Sequence, residues 1–270
     1  GMITDSQWAD LENDGDVELV LVGDWMPIRV FSYTEEQKFI DKTIDYGLDK
    51  TNGLWNTVTL TDLNNDGKLD ILAGNVGLNF KWKASLEKPV LMHLDDFDKN
   101  ETLDQIIFYD YFGTYVPFAS KDKLMQQLPM LKKKFTTYNS FSNVKSITDL
   151  FDKKEILETK KLYELRSMIY YNQGKSFNAV ALPNQAQLSS IEDFTVSNNN
   201  IYYVGNTNSF VTELGQNTAN PGGIINYQNS LNNKAINLPK EFIGRKIINL
   251  DNHRFLTISN NNKSYIVKQN

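Results

Sequence analysis

The chain has 270 residues, a mass of 31.0 kDa, a net charge of −5 and a pI near 5.2, enough for one large core or two small ones. The acidic balance, with no long basic stripe to offset it, argues against nucleic acid and against an anionic membrane surface as partners. Absence of cysteine removes disulfides, thiol nucleophiles and cysteine zinc sites, and no apolar run reaches the length of a membrane-spanning helix.

No signal peptide opens the chain; Gly1–Met2 leads almost at once into an acidic stretch, so a native targeting segment is expected to have been removed. That stretch, DLENDGDVE (10–18), sets Asp10, Glu12, Asp14, Asp16 and Glu18 at alternate positions, with Gly15 sixth. Oxygen-bearing side chains at positions 1, 3 and 5 followed by glycine wrap a hard cation such as Ca²⁺, which takes six to eight oxygens, and the sharp turn brings in the carbonyl of position 7. Two like charges about 4 Å apart repel by roughly 1 kcal/mol in water and about 4 kcal/mol at an effective dielectric of 20, so five converging carboxylates call for a cation. Strand-like runs follow: VELVLVG (17–23), MPIRVFSY (26–33) and LWNTVTLT (54–61). A second loop, DLNNDGKLD (62–70), offers Asp62, Asn64, Asp66, Lys68 and Asp70 around Gly67, and leads into LDILAGN (69–75) and KPVLMHL (88–94). In the third, DFDKNETLD (96–104), Asp96, Asp98, Asn100, Thr102 and Asp104 recur, but Glu101 stands at the glycine position; LDQIIFYDY (103–111) follows. An EF-hand is excluded, because position 12 is Leu21, Ala73 or Ile107 instead of a bidentate Glu. Each unit is strand, acidic loop, strand.

The pattern changes at Ser120. SKDKLMQQLPMLKKKF (120–135) puts Leu124, Leu128, Leu131 and Phe135 on one helical face, with Ser120 as N-cap, a kink at Pro129 and Lys132–Lys134 on a solvated side. DKKEILE (152–158) carries Asp152 and Glu155 at capping-box spacing, which predicts a second short helix. Strands return in KLYELRSMIYY (161–171), SFNAVALP (176–183), NIYYVGN (200–206), RKIINL (245–250), RFLTIS (254–259) and KSYIVKQ (263–269). The fold class is therefore all-β, with four to five β-propeller-type blades and a small helical insertion; 270 residues fall short of a larger closed ring, so an open arc is expected. The expected division is 1–118 for calcium-binding blades, 119–160 for the helical insertion and 161–270 for further blades without clear metal loops.

The loops together with LVLVG and ILAGN resemble the FG-GAP/VCBS-type repeat of bacterial cell-surface proteins, related to the propeller repeats of integrin α subunits. LVLVGDWMPIRVF, GLWNTVTLTDLNNDGKLDILAGNVGLNFKWKAS, PFASKDKLMQQLPMLKKKF and ALPNQAQLSSIEDF are similar to the C-terminal part of large bacterial VCBS-repeat proteins. The resemblance spans roughly residues 8–258. It implies up to three Ca²⁺, held by Asp10, Glu12, Asp14, Asp16 and Glu18, by Asp62, Asn64, Asp66, Lys68 and Asp70, and by Asp96, Asp98, Asn100, Thr102 and Asp104. Asp16, Lys68 and Thr102 would contribute backbone carbonyls. EDFTVSNNNIYYVGN (192–206) is read as a blade that keeps Asp193 but has lost its metal, through Thr195, Ser197 and the missing glycine.

Catalytic candidates are few. His93 and His253 begin no metal or nucleophile motif, and neither a phosphate-binding glycine loop nor a nucleophile elbow occurs. Trp8, Trp25, Trp55 and Trp82 are expected to pack between blades. The expected function is a non-enzymatic calcium-binding module, extracellular, at the cell surface or periplasmic, that mediates adhesion through a protein or glycan ligand. It would make no membrane insertion of its own and would contact other blades or domains of a full-length chain. The alternative is an accessory or catalytic part of a polysaccharide-processing lyase or hydrolase.

Overall fold

In a computed structural model the described residues are 1–33, 38–152, 156–228, 231–251, 253–260 and 263–268. Branched and aromatic residues alternate with polar ones along most of the chain, and they form strands closed by short turns. The described residues group into two compact units, 1–81 with 164–270 and 82–163 by itself. The second unit thus takes in strands before residue 118 along with the helical segment.

In the first unit, β1 (Met2–Ala9), β2 (Glu18–Met26), β3 (Arg29–Tyr33) and β4 (Phe39–Asp41) pair consecutively and antiparallel. β5 (Gly53–Thr61) and β6 (Asp70–Asn75) begin a second meander, and a short β2–β5 pairing merges it with the first into one eight-stranded sheet.

In the second unit, β7 (Val90–Asp95), β8 (Asp104–Tyr111), β9 (Thr114–Pro117) and β10 (Glu158–Leu162) form a sheet in the order β10-β7-β8-β9. Between β9 and β10 lie α1 (Lys121–Gln127), a 3-10 turn (Pro129–Lys133), α2 (Tyr138–Phe141) and α3 (Ile147–Leu150). Ser120 caps α1 by accepting from the Lys123 N–H (3.4 Å), and the helix stops at Leu128 because a residue before proline is pushed out of the helical region. Leu124, Leu128, Leu131 and Phe135 are all buried, with Phe97 and Phe108, in this unit's core. The kink expected at Pro129 is a full break. α2 and α3 escaped the sequence reading. Of the helix expected over 152–158, residues 153–155 lie outside the described residues, and Asp152, Ile156, Leu157 and Glu158 are not helical.

The first unit resumes with β11 (Met168–Asn172) and β12 (Phe177–Ala181), which complete the second meander by pairing β11 with β6. KLYELRSMIYY is therefore two strands in different units. β13 (Ile191–Ser197), β14 (Asn200–Gly205), β15 (Gly222–Asn226) and β16 (Asn232–Ala235) make a third meander, and β17 (Gly244–Asp251), β18 (Arg254–Ser259) and β19 (Tyr265–Lys268) a fourth, three-stranded one. Apolar cores fill the spaces between successive meanders: Val20, Val22, Trp55 and Ile71 in the first, Leu72, Ile169, Ile191 and Tyr203 in the second, Tyr202, Val204, Ile247 and Phe255 in the third.

One device repeats at every junction. The first strands carry a bulge at corresponding places: Ile3/Asp5, Trp55/Thr57, Ile191/Asp193 and Gly244/Lys246. The extra residue reaches the neighbouring meander: Thr4 Oγ1 donates to the Trp55 carbonyl (2.7 Å), Asn56 Nδ2 to the Ile191 carbonyl (3.2 Å), and Arg245 Nη1 to Glu192 Oε2 (2.6 Å). The next residue does likewise, since Asp5 Oδ2 accepts from the Val58 N–H (3.0 Å) and Asp193 Oδ2 from the Ile247 N–H (2.8 Å). Asp193 is therefore a strand residue, paired also with Lys246 Nζ (2.8 Å), and the β13–β14 connection is a tight turn through Asn198 and Asn199. The segment read as a depleted acidic loop is a strand and its hairpin.

Candidate metal centre

The three acidic stretches join β1 to β2, β5 to β6 and β7 to β8, and their backbones follow one rule. Position 1 caps the loop: Asp10 accepts from the N–H groups of Asp14 (3.1 Å) and Gly15 (2.9 Å), Asp62 from Asp66 (3.2 Å) and Gly67 (2.9 Å), Asp96 from Asn100 (2.9 Å) and Glu101 (2.9 Å). Position 5 holds position 7, through Asp14 to Asp16 N–H (3.0 Å), Asp66 to Lys68 N–H (2.9 Å) and Asn100 to Thr102 N–H (2.8 Å). Position 9 turns back to position 2, through Glu18 to Leu11 N–H (3.0 Å), Asp70 to Leu63 N–H (2.9 Å) and Asp104 to Phe97 N–H (3.3 Å).

Position 6 is left-handed in all three: Gly15 at φ 94°, Gly67 at 84° and Glu101 at 66°. The substitution at Glu101 leaves the loop geometry intact. Position 4 is left-handed as well, in Asn13, Asn65 and Lys99.

Position 9 is buried in every loop while positions 3 to 7 are largely exposed. Burial pushes the Glu18 carboxyl up, against the Leu11 bond, with Asp14, Glu12 and Asp10 adding to the rise. Asp70 is raised for the same reason, against bonds from Asn172 and Leu63, with Asp66 and Asp62 adding to it. Asp66 moves the other way, held down chiefly by the Lys68 N–H. Acids raised by burial and by one another are the groups that a divalent cation would relieve.

Convergence differs among the loops. Oxygens bound to one Ca²⁺ at 2.3–2.6 Å lie no more than about 5 Å apart. Asp96, Asp98 and Asp104 meet that condition, with one oxygen from each within 4.8 Å of the others. Asp98 Oδ1 is buried there without a hydrogen-bond partner, an orphan acceptor in a position to meet a cation. Among the described residues this is the one acidic trio so gathered. In the first loop Glu12 is turned to the Tyr46 hydroxyl (2.9 Å). In the second, both Asp70 oxygens accept backbone N–H groups, from Leu63 and from Asn172 (2.8 Å). Asn64 faces inward, accepting from the Asp66 N–H (3.0 Å).

Several contributors were invisible as motifs. Gln127 of α1 donates to Asp104 Oδ1 (3.0 Å), Asn13 Nδ2 to the Gly67 carbonyl (2.7 Å), and Asn172 Nδ2 to the carbonyls of Leu11 (2.9 Å) and Leu69 (3.2 Å). The first two loops are thus tied together. His93 is buried, with Nδ1 2.9 Å from Thr159 Oγ1 and its pKa lowered by burial; His253 sits in the exposed β17–β18 turn. Trp55 and Trp82 are buried, whereas Trp8 is 50% exposed against Phe39.

Residues 10–73 match the FG-GAP-like repeat family. That stretch runs from the first ligand position of the first loop through the second loop into β6; the third loop lies beyond it. No curated protein matches the chain.

Proposed function

We propose that this chain is a calcium-binding β-propeller-type module that works outside the cytoplasm by presenting a surface to a protein or glycan, without catalysis of its own. The observation that carries the reading is the gathering of Asp96, Asp98 and Asp104 around the unbonded Asp98 oxygen, on a loop whose backbone is repeated twice more. The match to the FG-GAP-like repeat supports extending it to the first two loops. Successive meanders stitched through their first strands support the propeller-type arrangement. Extracellular calcium modules bind with Kd around 10⁻⁴ to 10⁻³ M, which suits compartments where calcium is plentiful.

Thermal melts in calcium and in chelator test the reading. An ion bound only by the folded state adds about 2.7 kcal/mol at a hundredfold excess over Kd. The midpoint should rise in calcium, and Asp98→Asn should remove part of the rise; equal midpoints with ion and with chelator would overturn the proposal.

A further inference from the structure

The third loop is held from outside itself at three places, and all three partners lie between β9 and β10. Asp95, just ahead of the loop, accepts from the Leu157 N–H (3.1 Å). Phe97, at position 2, stacks on Phe151 with ring centres 4.4 Å apart and planes 16° from parallel. Asp104, at position 9, accepts from Gln127 Nε2 through Oδ1 (3.0 Å). The last of these touches the gathered trio itself.

Asp104 is the buried member of that trio, and its carboxylate must be aimed for the three oxygens to meet. A carboxylate held at one oxygen still turns about its final torsion, which is broad for such groups, so a second bond is needed to fix its plane. In the second loop a backbone group supplies it, the Asn172 N–H to Asp70 (2.8 Å). In the third the backbone bond is the Phe97 N–H at 3.3 Å, longer than the usual range, and the shorter bond is the one from Gln127. Gln127 is the last residue of α1; it is itself exposed, while Leu124 and Met125 anchor the helix in the core of this unit.

We propose that Gln127 is the positioning residue of the third cation site. It fixes the plane of the Asp104 carboxylate beside the unbonded Asp98 oxygen, and through it an ion in the loop and the docking of α1 support one another. The inference rests on the proposed calcium binding at this loop. Coupling of this kind is reciprocal: the factor by which docked α1 raises calcium affinity is the factor by which calcium favours docked α1.

Hydrogen exchange of the whole chain, followed by mass spectrometry against calcium concentration, reads each loop and the helix separately. Calcium should slow exchange in residues 96–104, and in α1 by about fivefold or more. Gln127→Met keeps the length of the side chain and removes the donor at an exposed position. It should raise the calcium midpoint of residues 96–104 about tenfold, as loss of a residue that orients a metal ligand does, and should cancel the slowing in α1. The midpoints of residues 10–18 and 62–70 should not move, and Gln126→Met, one position away, should behave as the unmutated chain. An unchanged midpoint in Gln127→Met, a slowing of α1 that survives it, or an equal shift at all three loops overturns the inference. Calcium that protects residues 96–104 equally with and without Gln127 defeats this inference alone, whereas absence of protection in the unmutated chain removes the proposed site with it.

Discussion

At the scale of single residues, the sixth loop position sets a backbone requirement that side chains meet unequally. A left-handed conformation costs a residue with a Cβ roughly 1–2 kcal/mol, while glycine gives back about 0.5–1 kcal/mol through the freedom it loses on folding. Glu101→Gly should therefore stabilise the protein by about 0.5–1 kcal/mol, and Gly67→Ala should destabilise it by a similar amount; denaturant melts in chelator check both. No atom lies within 4 Å of a Cβ built on Gly67, so its cost is conformational and has no clash to add. Asp24 poses an electrostatic case. Burial raises its pKa first and Glu192 second, against the pull of the N-terminal amine. A carboxyl raised in the folded state contributes stability below its unfolded pKa near 4 and loses it as pH rises through the interval up to the folded value. Asp24→Asn should then raise the melting midpoint at pH 7, with the gain vanishing toward pH 4; a lower midpoint at pH 7 would contradict the assignment.

At the scale of elements, the loops depend on strands far away in the chain. Asn172, fully buried on β11, donates to Leu11 and Leu69 carbonyls, and its Oδ1 accepts from the Gly174 N–H (2.8 Å). Removing it orphans three backbone groups, each costing about 1–3 kcal/mol, partly relieved by water. Asn172→Ala should cost about 3 kcal/mol, measured by denaturant melts, and should lower calcium affinity at the first two loops while sparing the third. The loops were legible in the sequence because their geometry is local: position 1 bonds positions 5 and 6 whatever surrounds it. Most strands were legible too, from runs such as ELVLVG and DILAGN. β1 was legible only as the strand that the repeated unit requires before its loop, because MITDSQWA alternates polar residues whose partners, Val58 and Leu60, lie on another meander. The same cause misled the reading of Asp193, an acid in loop-like company whose backbone partner, Ile247, is 54 residues away. Tyr46, Gln127 and Asn172 had no motif to betray them, since each acts on a loop through a contact that only the fold creates.

For the whole molecule, the decisive feature is where the second unit enters. It leaves the second meander after β6 and returns before β11, and those two strands pair directly through Ala73 with Met168, Leu72 with Ile169 and Ile71 with Tyr170. The Gly77 N–H donates to the Leu165 carbonyl (2.8 Å), which closes the chain path beneath the departure point. Residues 82–163 meanwhile have their own sheet, helices and apolar core. The first unit keeps its three inter-sheet cores and its bulge contacts without drawing on them. Loop closure grows only slowly with length, so shortening this connection costs the folded state little provided its ends stay near one another. Replacing residues 82–163 with a short Gly/Ser linker should therefore leave a protein that melts cooperatively. It should retain calcium binding at the loops of residues 10–18 and 62–70 and lose one ion from the calorimetric stoichiometry. A variant that precipitates or melts without cooperativity would show that the sheet of the second unit is required for the first to fold, and the two units would then be one.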